Sequence, residues 1–191
     1  MLEEFSYDHL RPSGLQADLG FLGSNDLEQT VVGGVRLDVG RFAPRFRVLL
    51  GLSYYRSDFD AAATARFEAR LREIVIDPSG DDTIRVGRVS WADVVADADL
   101  QYALFESAAG ALFAGAGIGV HIRNGSGSGI AGTFVEDALD GVAAALNLMI
   151  GGELRLAPAW RATVDARGVL SSELSTGSLR VGVMYRFPGA R

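Results

Sequence analysis

The 191-residue sequence predicts an all-β fold: an eight-stranded antiparallel up-and-down transmembrane β-barrel with one long structured extracellular loop. Three observations predict it. Eight segments alternate apolar residues with polar or small ones, the pattern of a strand with one greasy face and one polar face. Glycine and charge share the polar face. Short turns and aromatic residues collect at one end of the strands, and longer connections lie at the other.

Residues 1–13, which include Pro12 and show no period, are read as an N-terminal arm before a barrel domain at 14–187. In the first strand Leu15, Ala17, Leu19 and Phe21 oppose Gln16, Asp18, Gly20 and Leu22. After a polar loop, Val35, Leu37 and Val39 oppose Arg36, Asp38 and Gly40. Pro44 presets φ for a tight turn, and the third strand sets Phe46, Val48, Leu50, Leu52 and Tyr54 against Arg47, Leu49, Gly51, Ser53 and Tyr55. Residues 56–89 form the long loop. Within it Ala61–Arg72 has the spacing of a short helix, with Phe67, Leu71 and Ile74 on one face. Glu73–Asp77 and Thr83–Arg88 flank a Pro78-Ser79-Gly80-Asp81 turn as a small hairpin.

The fourth strand alternates Ala92, Val94, Ala96, Ala98, Leu100 and Tyr102 with Asp93, Val95, Asp97, Asp99 and Gln101. The fifth alternates Leu112 through Ile122 with Phe113, Gly115, Gly117, Gly119, His121 and Arg123, before a flexible Gly/Ser loop at Asn124–Gly129. The sixth opposes Leu146, Leu148, Ile150 and Leu154 to Asn147, Met149, Gly151, Glu153 and Arg155. After Ala157-Pro158-Ala159, Trp160, Ala162, Val164 and Ala166 oppose Arg161, Thr163, Asp165 and Arg167. The closing strand sets Leu179, Val181, Val183, Tyr185 and Phe187 against Ser178, Arg180, Gly182, Met184 and Arg186. Residues 188–191 are a C-terminal tail.

Alternation leaves open whether the greasy face lines a soluble cavity or meets lipid. Glycine decides against solvent on the polar face, where it would only weaken strands; a narrow lumen instead requires small residues beside large charged ones. Phe46, Tyr102, Trp160, Tyr185 and Phe187 fall near the short turns, as an aromatic belt at one membrane interface does. Short turns on one side and long loops on the other complete the transmembrane pattern. From about Gly14 to Phe187 the chain resembles the small OmpA/OmpX-type outer-membrane barrels, and its alternating last strand finishing in Phe187 resembles theirs. It departs from them in Pro188-Gly189-Ala190-Arg191, which follow that Phe. The resemblance implies a bacterial outer-membrane location and roles such as envelope integrity, adhesion or partner anchoring. Met1-Leu2-Glu3-Glu4 is acidic and unlike a signal peptide, so the expectation is that an export leader has been removed.

Composition narrows the function. The formal charge of −6 offers no basic stripe for a nucleic acid. There is no cysteine for a disulfide or thiolate metal site. No apolar run reaches the ~20 residues of a membrane helix. Gly125–Gly129 lacks the Lys and the strand-to-helix setting of a nucleotide loop. Asp81-Asp82 and Asp58/Asp60 fall short of a calcium site. No cofactor or metal is expected. The partners expected are outer-membrane lipids and a protein docking on loop 56–89.

The polar face carries Asp18, Arg36, Asp38, Arg47, Asp93, Asp97, Asp99, Gln101, His121, Arg123, Glu153, Arg155, Arg161, Asp165, Arg167, Arg180 and Arg186. Buried charges persist when paired, so these are read as a network that fills the barrel and leaves little or no pore. Antiparallel counting sets His121 close to Asp93, the only pair with catalytic potential, but no Ser completes a triad. The reading is therefore a structural or surface-interaction protein and not an enzyme. The alternatives are a soluble lipocalin-like ligand-binding barrel, and a membrane-embedded lipid-modifying enzyme using His121.

Overall fold

A computed structural model describes residues 10–74, 87–127, 130–132, 136, 139–171 and 174–189, with the side chains of 71–74 left aside. Eight strands follow one another: β1 (Leu10–Ser24), β2 (Thr30–Ala43), β3 (Phe46–Asp58), β4 (Val89–Glu106), β5 (Gly110–Gly127), β6 (Gly141–Arg155), β7 (Trp160–Leu170) and β8 (Thr176–Arg186). A helix, α1 (Ala61–Ile74), stands between β3 and β4. Each strand pairs antiparallel with its sequence neighbours, and β8 closes on β1 from Gly14↔Arg186 to Ser24↔Thr176. Closure leaves no sheet edge, which is what allows a strand-built wall to stand in a medium that offers no hydrogen bonds.

The two faces differ sharply. Leu19, Phe21, Ile118, Val142, Ile150, Leu179 and Val181 are all exposed on the outer wall, while Asp18, Arg36, Asp99, His121, Asp165 and Arg180 are buried within. A soluble barrel with its greasy residues around a cavity would show the opposite, so the lipocalin-like alternative does not fit. The shortest strands, β7 and β8, have 11 residues, enough for a tilted strand to cross a bilayer core. The turns at 44–45, 107–109 and 156–159 share one end, and the connections between β1 and β2, β3 and β4, β5 and β6, and β7 and β8 share the other.

Several strands run further than their alternation suggests, because a neighbour supplies hydrogen bonds where the pattern lapses. β1 begins at Leu10, not 14, since Leu10 pairs with Gly40 across a register shift. Gly40 has φ +95°, a left-handed conformation that suits glycine, and its N–H donates to Asp38 Oδ1 at 2.8 Å. Asn124–Gly127, expected within a flexible loop, extend β5 against Val89–Ala92 of β4. β3 likewise reaches Asp58, paired with Ser90. Most of the hairpin expected after α1, including Asp81-Asp82, lies outside the described residues, as do the side chains of Leu71 and Ile74.

Candidate functional site: the filled lumen and the cap above it

The interior charges fall into layers. At the turn end, Arg186 Nη1 lies 2.7 Å from Asp38 and its Nη2 3.4 Å from Glu153. Arg47 reaches Glu153 at 3.3 Å and Asp38 at 3.7 Å, with its Nε donating to Gln101 at 2.6 Å. Arg161 stands 4.0 Å from Glu153, and Phe113 lies beneath the Arg47 guanidinium at 4.9 Å. In the middle, Arg36 donates both Nη groups to Asp165 at 3.1 and 3.2 Å and approaches Asp18 at 3.5 Å. Arg180 meets Asp18 at 3.4 Å. Arg167 meets Asp97 at 3.1 Å and also bonds Asp99.

Nearer the loop end, Asp93 accepts from Tyr55 Oη at 2.9 Å, lies 2.8 Å from His121 Nδ1, and sits 3.6 Å from Arg123 Nε. Among the described residues, three arginines thus face two carboxylates at the turn end, three face four in the middle, and Arg123 faces Asp93 at the mouth. Charge balances through the depth of the lumen, the condition for holding ions out of water. Small residues make the room: a Cβ on Gly51 would stand 2.4 Å from Asp97 Oδ1, and one on Gly117 2.2 Å from Asp99 Oδ1.

Three expected members differ from the rest. Arg155 is exposed at the end of β6, opposite Arg161, and stands outside the network; Glu153 is the last residue of that strand to point inward among the charges. Arg161 and Arg186 are only partly buried, with side chains 24% and 21% exposed at the turn-end rim.

His121 is 3% exposed, and its Nε2 has no hydrogen-bond partner among the described residues. Among the described residues no hydroxyl bonds that nitrogen, and the pair lies beneath an apolar plug. Asp93 and His121 therefore form a packed, hydrogen-bonded pair, with Tyr55 Oη donating to the same carboxylate oxygen. Tyr55 was not singled out from sequence as part of this group, although its place on the inward face of β3 was legible.

The aromatic residues at the turn end form contacts along the outer wall. Phe46 and Tyr102 have ring centroids 5.0 Å apart, Trp160 and Tyr185 5.0 Å, and Tyr185 and Phe187 6.0 Å. Arg45 Nη1 donates to Tyr102 Oη at 3.2 Å, so the belt has a polar outer edge.

Sequence reasoning missed the cap. From the level of Val95 and Asp93 up to the rim, inward-facing Leu22, Val32, Tyr55, Trp91 and Val95 close together with Leu27 and Leu174 from the connections. Over them lies a cavity of about 190 Å³ whose apolar walls are Phe59, Phe67, Val89, Trp91, Leu139 and Leu174. Trp91 is its floor. The indole stacks on Phe59 at 5.2 Å on one side and meets the Arg123 guanidinium at 5.2 Å. Asp26, Arg66 and Arg70 stand at the rim. Continuing the alternation of β4 back from Asp93 would have placed Trp91 inside; nothing local in the sequence brings Leu139 and Leu174 to it. Asp58 and Asp60 are engaged by protein groups. Asp58 pairs with Arg88 at 2.9 Å, and Asp60 caps α1.

A closed eight-stranded barrel with an apolar wall and a charge-packed lumen is the fold of the small transmembrane barrels of bacterial outer membranes. Solved structures are similar along nearly the whole chain. Neisserial surface protein A (NspA) matches with a TM-score of 0.61 and 12% identity, over 91% of this chain and 96% of that one. A major outer membrane protein from Thermus thermophilus matches with a TM-score of 0.54 and 14% identity, over 92% and 98%. Ail, the attachment invasion locus protein of Yersinia pestis, matches with a TM-score of 0.50 and 10% identity, over 92% and 99%. At these identities the likeness is one of fold. No family model matches the chain, and no curated protein matches it.

Proposed function

We propose that this protein resides in the outer membrane of a Gram-negative-type envelope, is closed to solutes, and acts through the surface presented at its loop end. The observation that carries this reading is the occluded lumen. Interlocked Arg–carboxylate layers fill the middle, and the Trp91 plug covers them. A barrel of eight strands leaves just enough interior for side chains, and here those side chains are long and mutually bonded. Without a path through the wall, what remains for function is the outer wall, which meets lipid, and the cap.

The cap is where a protein partner would dock, on α1 and the adjoining parts of the segment expected at 56–89. The names of two structural neighbours, a surface protein and an attachment protein, support a surface role. Catalysis is not part of this reading, because the only imidazole–carboxylate pair in the described lumen is enclosed and has no nucleophile.

Planar-bilayer recording tests the closed lumen. Purified protein that shows the heat-dependent gel shift of a folded barrel is expected to give no sustained stepwise conductance. Reproducible channel openings from such protein would overturn the closed-lumen reading.

A further inference from the structure

The turn end of the lumen opens into a recess of about 830 Å³ between the β4–β5 turn, the β6–β7 turn and the residues after β8. Its charged lining is Arg41, Glu106, Glu153, Arg161 and Arg186. Arg41 and Glu106 pair with each other and add no net charge. Glu153 is shared three ways, with Arg47 at 3.3 Å, Arg186 at 3.4 Å and Arg161 at 4.0 Å. Arg186 and Arg47 also reach Asp38, at 2.7 and 3.7 Å. Arg161 has no second carboxylate among the described residues, and 4.0 Å is beyond hydrogen-bond length. Its cross-strand partner Arg155 is exposed and has no ion pair among the described residues. The acids of the middle layer are buried and take no part in the lining.

The lip of the recess faces the membrane. Phe187 and Pro158 line it, Phe187 stands 6.0 Å from Tyr185, and Tyr185 stands 5.0 Å from Trp160. These rings belong to the aromatic belt, and such belts sit at headgroup depth. Arg155 and Arg161, at the two ends of the turn that carries Trp160, therefore stand level with lipid phosphates.

We propose that this recess binds the phosphate of an anionic phospholipid from the adjoining leaflet, with Arg161 as principal donor and Arg155 at the lip. The glycerol and upper chains then lie over Trp160 and Phe187. A guanidinium whose one carboxylate is shared three ways is completed by an oxyanion with paired acceptors. The surplus of positive charge turns away the choline of a zwitterionic headgroup, which selects the anionic class.

Trp160 supplies the readout. The chain has two tryptophans, and Trp91 is enclosed in the plug at the opposite end. In Trp91→Phe protein, quenching by phospholipids brominated in their acyl chains reads the lipid beside Trp160. The native chain, with Trp91 as a constant background, gives the same comparison if that variant does not fold. In mixed vesicles, brominated phosphatidylglycerol is expected to associate there about fivefold more strongly than brominated phosphatidylcholine. Arg155→Gln combined with Arg161→Gln is expected to abolish the preference and leave quenching by phosphatidylcholine as it was. Arg45→Gln, at the same end but outside the recess, is expected to keep the preference.

Equal association of the two lipids beside Trp160, or a preference that survives the double substitution, would overturn the assignment. So would loss of the preference in Arg45→Gln, which would mean a diffuse surface charge. Sodium phosphate that removes the preference where sodium chloride of equal ionic strength does not would give the site to a soluble phosphate and overturn the lipid source. Each comparison uses barrels that show the heat-dependent gel shift, and none depends on the closed lumen or on the cap.

Discussion

Arg36 shows what a charge must do to remain inside this barrel. It is 3% exposed, is bonded twice to Asp165, and leans on Asp18. A buried pair adds little over well-packed apolar residues, but removing one partner strands the other in a medium that cannot hydrate it. Arg36→Met is therefore expected to lower stability by about 3–5 kcal/mol. The shift would be read from the midpoint of urea unfolding in lipid vesicles. Adding Asp165→Asn should recover part of the loss, since one orphaned charge is then gone. An unchanged midpoint in Arg36→Met would show that the guanidinium does not neutralise these carboxylates. Gly51 and Gly117 belong to the same logic, because the acids occupy the space their side chains would need.

At the scale of elements, the cap behaves as an extension of the wall. Glu28 N donates to Asp58 O at 2.9 Å, Phe59 N to Val89 O at 2.9 Å, and Asp60 N to Asp26 O at 3.0 Å. These bonds carry the ladder past β3 and deliver Asp60 to the start of α1. There its carboxylate accepts from Ala63 N at 2.5 Å, and its carbonyl accepts from Thr64 N at 3.0 Å. A helix of 14 residues is marginal by itself, so it depends on this cap and on Ala63 and Phe67, four residues apart on the side facing the plug. Asp60→Ala is expected to destabilise α1 by about 1 kcal/mol. Hydrogen exchange should quicken in the α1 amides and stay unchanged in β4 and β5. Uniform acceleration through the strands would instead mean that cap and barrel open as one unit.

The whole molecule is an inside-out protein set in an asymmetric frame. One end carries tight turns and an aromatic belt; the other carries α1, the plug and the cavity. The absence of cysteine in the chain makes that orientation directly measurable. Arg66→Cys, on α1, is expected to react with a membrane-impermeant maleimide on intact cells. Ser107→Cys, in the β4–β5 turn, should react only after the outer membrane is permeabilised. The reverse pattern would place the cap in the periplasm and remove the basis for a surface role.

Alternation was enough to find the eight strands, their order and their two faces, because strand side chains repeat every second residue and only lipid rewards a barrel that shows its greasy face outward. Charge and glycine on the other face marked the lumen for the same local reason. Antiparallel counting across a short turn even placed His121 beside Asp93. What the sequence could not carry is partnership across the lumen. Arg36 and Asp165 lie 129 residues apart, and which acid meets which arginine depends on how β8 closes on β1 and how far the strands are staggered. The same closure leaves Arg155 outside while drawing Arg186 to Asp38. The cap was the least legible part. Leu27, Leu139 and Leu174 come from separate connections with no shared period, and they meet over Trp91 only because the closed wall brings every loop to the rim of one narrow opening.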